Sequence, residues 1–305
     1  MLYDLNIPWS PTTPPDRLSQ TLSLASSLGY AVVALNHSVE LPLPAKPSPP
    51  PFPPVCESGP DAAAAASESS SPPRVLRRAT LALADPSAFN FRLPALAAVY
   101  DLVAVRPLTE KAFQNACLSL EVSLISLDLT THFPFHFRPK PCMAAVSRGV
   151  RFELCYAQLL ASDPRGRANF IANLSGLVRA TRGRGFVISS EAGSALGLRA
   201  PADVVNLLSV WGLANERGLE GLRSVPRSVV VNEAIKRRGY RGVVDVVQVA
   251  SRGEVETDSS PSVDSTTATT SQKRKIADSQ PVSKRKAKKA KMAARAAAAS
   301  ENAES

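Results

Sequence analysis

Asp16-Arg17-Leu18-Ser19-Gln20-Thr21-Leu22-Ser23-Leu24-Ala25-Ser26-Ser27-Leu28-Gly29-Tyr30-Ala31-Val32-Val33-Ala34-Leu35 contains the repeating unit of the fold. Leu18, Leu22, Ala25 and Leu28 recur at helical spacing, and Gly29 ends the run. Ala31–Leu35 is then apolar without alternation, the pattern of a strand covered on both faces. Leu2–Ile7 reads as a strand ahead of the helix. A strand–helix–strand unit of this kind pairs its strands in parallel through a crossover.

The alternation continues downstream. Val75–Ala84, Leu102–Val105, Leu124–Thr130, Phe152–Tyr156 and Phe186–Ser189 read as further strands. Thr109 is the expected N-cap of a helix carrying Ala112, Phe113, Ala116, Cys117 and Leu120 on one side. Asp163-Pro164 opens a helix whose Phe170, Ile171, Leu174, Leu177 and Val178 share a face. Pro201 starts another with Val204, Leu207, Leu208 and Trp211, and a last helix runs from about Pro226 to Arg238, ended by Gly239. About seven strands and no glycine-rich dinucleotide loop predict an α/β fold of the TIM-like barrel type, complete or short of a strand. A doubly wound open sheet is the rival arrangement.

Two segments stand outside this pattern. Residues 41–73 contain LPLPAKPSPPPFPP and then an Ala/Ser run. Their prolines fix φ and withhold amide donors, and few large apolar groups offset the ordering entropy, so a disordered insertion is expected. Residues 241–305, rich in Ser, Thr, Ala and Lys, are expected to form a disordered tail. That leaves 1–240 as the barrel domain.

The 305 residues are 44% hydrophobic, ample for a core, with no apolar run of the roughly 18 to 20 residues that a membrane span needs. The opening MLYDLNIPWSPTTPPD does not read as a signal peptide, and a soluble intracellular chain is expected. Cys56, Cys117, Cys142 and Cys155 form no Cys-x-x-Cys pair, which argues against a zinc or redox site. Cys117 and Cys155 sit among apolar neighbours as core residues would. The net charge of +10 comes almost wholly from Lys273–Arg295. There, Lys273-Arg274-Lys275 and Lys284-Arg285-Lys286-Ala287-Lys288-Lys289-Ala290-Lys291 have the form of a nuclear-import signal. Such an arm would also add salt-sensitive affinity for RNA. The remainder is close to neutral, so a nucleic-acid surface on the barrel has to be a local patch.

Several phrases resemble the thirty-kilodalton protein subunit family of ribonuclease P and ribonuclease MRP. They are Leu28-Gly29-Tyr30-Ala31-Val32-Val33-Ala34-Leu35-Asn36-His37 and Tyr100-Asp101-Leu102-Val103-Ala104-Val105-Arg106-Pro107 with Thr109-Glu110-Lys111-Ala112-Phe113. Phe133-Pro134-Phe135, Ser147-Arg148-Gly149, Phe152-Glu153-Leu154-Cys155-Tyr156 and Val187-Ile188-Ser189-Ser190 follow in the family's order. The resemblance implies a barrel related to the polymerase-and-histidinol-phosphatase (PHP) metal hydrolases. It further implies a noncatalytic subunit that binds a catalytic RNA and a small ferredoxin-like partner subunit. Its setting would be the nucleus and nucleolus, where the RNA cleaves precursor tRNA or rRNA.

A PHP hydrolase needs several imidazoles and carboxylates at strand ends to hold metals that activate water. Here Asp4-Leu5-Asn6 stands in place of the family's first His-x-His pair, and Asn36-His37 in place of an Asp-His. His132 and His136 flank Phe133-Pro134-Phe135, where Pro134 opposes a shared helical face. No catalytic residue, metal ligand or cofactor is therefore assigned. A phosphoesterase with an altered metal site is the alternative. Glu153, inside an apolar strand, is expected to pair with an arginine or cap a backbone donor. On a barrel, functional side chains gather where strands exit into their loops. Arg106 and Lys111 fit that placement, and Arg148, Arg77, Arg78, Arg182 and Arg184 complete the candidate RNA contacts. Guanidinium forks suit phosphates, although a solvated, salt-bridged surface is the simpler reading of the same residues.

Overall fold

The computed structural model describes residues 1–40, 51–52, 72–84 and 93–238. The expected tail, and the expected insertion apart from residues 51–52 and 72–73, lie outside them. The strands are β1 (Leu2–Pro8), β2 (Tyr30–Val39), β3 (Arg74–Leu83), β4 (Leu102–Pro107), β5 (Leu124–Ser126), β6 (Arg151–Cys155) and β7 (Phe186–Ser189). Between and after them come α1 (Pro15–Ser27), α2 (Leu93–Val99), α3 (Glu110–Leu118), α4 (Pro139–Ser147), α5 (Tyr156–Ala161), α6 (Pro164–Thr181), α7 (Pro201–Val210), α8 (Asn215–Leu222) and α9 (Ser224–Arg238).

All seven strands form one parallel sheet in the order β1-β2-β3-β4-β5-β6-β7. A doubly wound sheet reverses direction part-way across; this one never does, so each crossover rolls the sheet further the same way. The ends meet just beyond β7. Ser190 N–H donates to Asp4 Oδ1 at 2.9 Å, and Glu191 N–H donates to the Asn6 carbonyl at 2.8 Å. The result is a nearly closed barrel of seven strands.

Where an eighth strand would complete the circle, α8 lies against both β7 and β1. Its glycines permit this. A Cβ on Gly221 would stand 3.2 Å from the Phe186 carbonyl oxygen and 3.3 Å from the Ile188 side chain, and one on Gly218 would stand 3.0 Å from Val205. The same glycines interrupt the apolar period, which is why no helix is expected there from the sequence.

The inward face is layered. Near the strand starts Tyr3, Leu5, Val32, Ala34, Leu76, Leu102, Ala104, Leu124 and Val187 form an apolar cluster, and Val229 of α9 plugs it from below. The larger cluster lies between the sheet and its helices, including Leu18, Ala25, Val33, Leu35, Phe113, Phe152 and Leu174. Three local expectations need correction. The strand expected over Leu124–Thr130 stops at Ser126, because Asp128 Oδ1 accepts from Thr130 N–H and Oγ–H and turns the chain. Tyr156 opens α5 instead of ending β6. Phe52, within the expected insertion, packs on Trp9 with ring centroids 4.5 Å apart.

Replacing a helical glycine by alanine ordinarily stabilises by about 1 kcal/mol. Gly221→Ala is expected to do the reverse, lowering stability in urea unfolding by about 1–3 kcal/mol, since a backbone oxygen cannot move aside as a side chain can.

Candidate functional site

In barrel enzymes of this architecture the chemistry sits where the strands end. Here the upper half of the interior is polar, and each polar strand position faces inward by its register. Asn36 pairs across to Arg78, and Ser126 to Glu153. Arg78 and Glu153 have no exposed side-chain surface. Arg78 Nη2 donates to Glu153 Oε2 at 2.6 Å, and its Nη1 donates both to Glu153 Oε1 and to the Leu5 carbonyl. Arg78 Nε donates to Thr80 Oγ1 at 3.2 Å, and the Thr80 hydroxyl donates to Asn36 Oδ1 at 2.7 Å. Asn36 Nδ2 donates to Asn6 Oδ1 at 2.8 Å, and Asn6 Nδ2 reaches back to Glu153 Oε2 at 3.4 Å. The hydrogen bonds close a ring through β3, β2, β1 and β6, and Ser189 of β7 adds a donor to Glu153 at 2.8 Å.

Burial pushes the Glu153 carboxyl up. The charge of Arg78 and hydrogen bonds from Arg78, Ser126 and Ser189 outweigh it and hold the group ionised below its ordinary value. Above this ring a second pair narrows the mouth. Arg106 Nη2 donates to Glu191 Oε1 at 2.7 Å, and Gln158 Nε2 donates to Glu191 Oε2 at 2.6 Å. Glu191 takes a left-handed backbone, φ 54°, which costs a non-glycine residue about 1 kcal/mol or more. The two side-chain partners and the amide bond to Asn6 hold it there.

This donor set does not fit a resident metal. The place of a cation is taken by a guanidinium, the carboxylate beside it is already neutralised, and Asn6 and Asn36 stand where the PHP pattern has imidazole and carboxylate. Among the described residues no three His, Cys, Asp or Glu side chains converge on one point. His37 lies on the outer side of β2, its Nδ1 3.2 Å from the Tyr100 hydroxyl, and burial lowers its pKa. His132 and His136 are exposed on the loop after β5. Cys117, Cys142 and Cys155 are buried free thiols, and burial pushes the Cys142 thiol up to about 12. Cys56 lies outside the described residues.

The candidate RNA contacts do not form one patch. Arg78 is excluded outright: it is the buried partner of Glu153, with no surface left for a phosphate. Its position beside exposed Arg77 gave no sign of this, because only strand parity separates an inward from an outward side chain. Arg106 is at the mouth but committed to Glu191, with its side chain 25% exposed. Lys111 is exposed in the first turn of α3, also at the strand-exit end. Arg148, Arg182 and Arg184 are exposed at the opposite end, where β6 and β7 begin. Arg77 is exposed beside the start of β4 and pairs with Asp101 at 3.5 Å. Glu191, Gln158, Thr80 and Ser126 are missed by sequence reasoning. No motif marks them; they matter only because the barrel brings the strand ends together.

The sequence matches the family model described as "RNase P subunit p30" over residues 1–238. The chain belongs to the RNase P subunit p30 family. It is 30% identical over 246 residues to the "Probable ribonuclease P protein subunit 3" of Schizosaccharomyces pombe, covering 80% of this chain and 99% of that protein. It is 31% identical over 247 residues to the mouse "Ribonuclease P protein subunit p30", covering 78% of this chain and 88% of that one. The Saccharomyces cerevisiae "Ribonuclease P/MRP protein subunit RPP1" is 26% identical over 258 residues, covering 80% of this chain and 84% of the yeast protein. A chain from a cryo-EM structure of archaeal ribonuclease P with mature tRNA shares the fold, with a TM-score of 0.58 at 14% identity. That match covers 82% of this p30-family chain and all of the archaeal one.

One buried acid in this p30-family barrel is poorly compensated. Burial pushes the Asp4 carboxyl up to about 6 against the lowering effect of Ser190 and Asn6, and its Oδ2 is buried without a hydrogen-bond partner. A carboxyl raised in the folded state stays protonated there while the unfolded chain ionises. Stability is therefore lost as pH rises from about 4 to about 6 and is not regained above. Asp4→Asn keeps the Oδ1 acceptor and removes the charge. It is expected to raise the melting temperature at pH 7.5 and to leave it unchanged near pH 4. The full effect is on the order of 3 kcal/mol, from about two pKa units at 1.36 kcal/mol each.

Proposed function

We propose that this chain is a noncatalytic protein subunit of a nuclear ribonuclease P or ribonuclease MRP particle. It binds the particle's RNA and supports the cleavage of precursor tRNA or rRNA that the RNA performs. The observation that carries the reading is the interior at the strand ends. A hydrolase of this architecture would present metal ligands there, and this barrel presents a closed Arg78–Glu153 pair with amides and hydroxyls around it. Family membership over residues 1–238, and relatives named as ribonuclease P subunits, support the particle. The yeast relative's name supports a role in ribonuclease MRP as well. The metal-dependent phosphoesterase alternative has no donor set among the described residues on which to rest.

The protein contacts RNA through exposed basic side chains, Lys111 at one end of the barrel and Arg148, Arg182 and Arg184 at the other. Arg77 and Arg106 contribute only when their carboxylate partners release them. A small ferredoxin-like subunit is its protein partner. The basic clusters Lys273–Lys275 and Lys284–Lys291 direct it to the nucleus and nucleolus, a role read from sequence alone since they lie outside the described residues. No described helix is long and apolar enough to cross a membrane.

Immunoprecipitation of the tagged chain from its own cells, followed by RNA sequencing, tests this. One abundant, structured noncoding RNA should be recovered together with precursor tRNA or rRNA fragments. Recovery of no RNA above the untagged control would contradict the proposal.

A further inference from the structure

The rule for barrel enzymes places function where the strands exit, but the bases at that end are nearly matched by acids. Arg106 is held by Glu191, and Arg138 stands 3.7 Å from Glu110. Lys111, Lys140, Arg165, Arg167 and Arg199 are exposed at the same end, but Asp16, Asp128, Asp163 and Asp203 stand among them. The other end is different. Arg148 and Arg151 lead into β6; Arg179, Arg182 and Arg184 crowd the turn from α6 to β7. These two turns are neighbours, since β6 pairs with β7 and a Cβ on Gly185 would lie 3.5 Å from Arg151 Nη1. Gly183 approaches the side chain of Arg217 on α8, and Arg223 and Arg227 continue the exposed run onto α9.

Acids at this end are fewer and mostly spent. Asp101 is taken by Arg77 and Arg237, Glu220 by Arg217, and Glu233 by Lys236. Among the described residues there, only Glu121 and Glu216 form no ion pair. The whole barrel is close to neutral, so concentrating arginine on one end makes a local positive field. The guanidinium is also weakly hydrated and matches phosphate oxygens two at a time.

The framework under these side chains is stiff. Arg148 donates from Nη1 to the Cys117 carbonyl at 2.8 Å and from Nη2 to the Leu120 carbonyl at 2.7 Å, which fixes its plane at the rim. It borders a cleft of about 240 Å³ with Ser123, Asn232 and the Glu233–Lys236 pair. The turn from α6 is set by left-handed backbone at Arg182 and Gly183, so its side chains splay outward from a fixed base.

We infer that the strand-start end of the barrel, around α9 and the turns before β6 and β7, is the face that grips RNA, through the phosphates of a folded, double-helical segment. The inference rests on the RNA-binding reading above and narrows it: of the two ends named there, the strand-start end carries most of the affinity and Lys111 at the mouth adds little. Double-stranded RNA suits the face because its bases are hidden and its backbone is what protein can reach.

Two triple variants of the full chain, each removing the same charge, test the assignment. Arg179→Gln/Arg184→Gln/Arg227→Gln strips the strand-start end, and Lys111→Gln/Arg138→Gln/Lys140→Gln strips the strand-exit end. Each is titrated by fluorescence anisotropy against an RNA hairpin with a stem of about 20 base pairs over a range of salt. The first triple should weaken binding by about tenfold or more and flatten the dependence of log K on log salt by about two to three. The second should stay within about threefold of the parent, because its charges face the wrong way. Equal losses, or a larger loss in the second triple, would overturn the assignment while leaving RNA binding in place. Failure of the parent chain to bind the hairpin at all would overturn RNA binding itself. Matching melting temperatures for the three proteins establish that the comparison reads charge and not unfolding.

Discussion

A guanidinium and a carboxylate share the centre of this barrel, and the upper half of the structure is arranged to make that tolerable. Removing two charges from water costs several kcal/mol per ion, and attraction between them repays this only when the remaining hydrogen-bonding capacity is also filled. Arg78 and Glu153 meet that condition. Leu5, Thr80, Asn6 and Ser189 complete their valences from β1, β3 and β7, and Asn36 ties the ring together from β2. The strands cannot shift register without breaking a bond in the ring. The pair therefore contributes specificity of strand alignment beyond whatever net stability it gives.

The same pair is the physical basis of the proposed scaffold role. A metal cage needs acceptors converging on one point; a guanidinium at that point offers only donors. With Arg106, Glu191 and Gln158 narrowing the mouth above, the strand-exit end turns from a reaction vessel into a lid. The opposite end is built differently. There α9 plugs the apolar lower barrel through Val229, and its Arg237 is tied to Asp101 at the start of β4. That leaves a rigid platform edged with arginine.

Much of this was legible in the amino-acid sequence because it depends on periodicity. Continuous apolar runs such as Ala31–Leu35, separated by helical spacings, specify parallel strands covered on both sides, and Thr109 and Asp163 cap their helices as expected. The missing imidazoles were legible too, since Asn6 and Asn36 stand in plain view. What could not be read was which cation goes where. Arg77 and Arg78 are neighbours, yet one is exposed and the other is the largest fully buried side chain among the described residues. Strand parity decides this, and parity depends on register with partners far along the chain. Nor could sequence reveal that α8, with two glycines and little apolar period, fills the seam between β7 and β1. Its signal is close approach, a property of the assembled barrel and not of the segment.

A protein-supplied cation stands where a hydrolase would bind metal, and a double-mutant cycle of Arg78→Met and Glu153→Leu, followed by urea unfolding, tests this directly. Each single variant leaves a buried charge unpaired and should cost about 3–5 kcal/mol, while the double variant, leaving none, should recover much of that loss, with a coupling of at least about 2 kcal/mol. Additive losses, with coupling near zero, would mean that the two side chains do not neutralise one another at the barrel's centre, and the account would be wrong at its root.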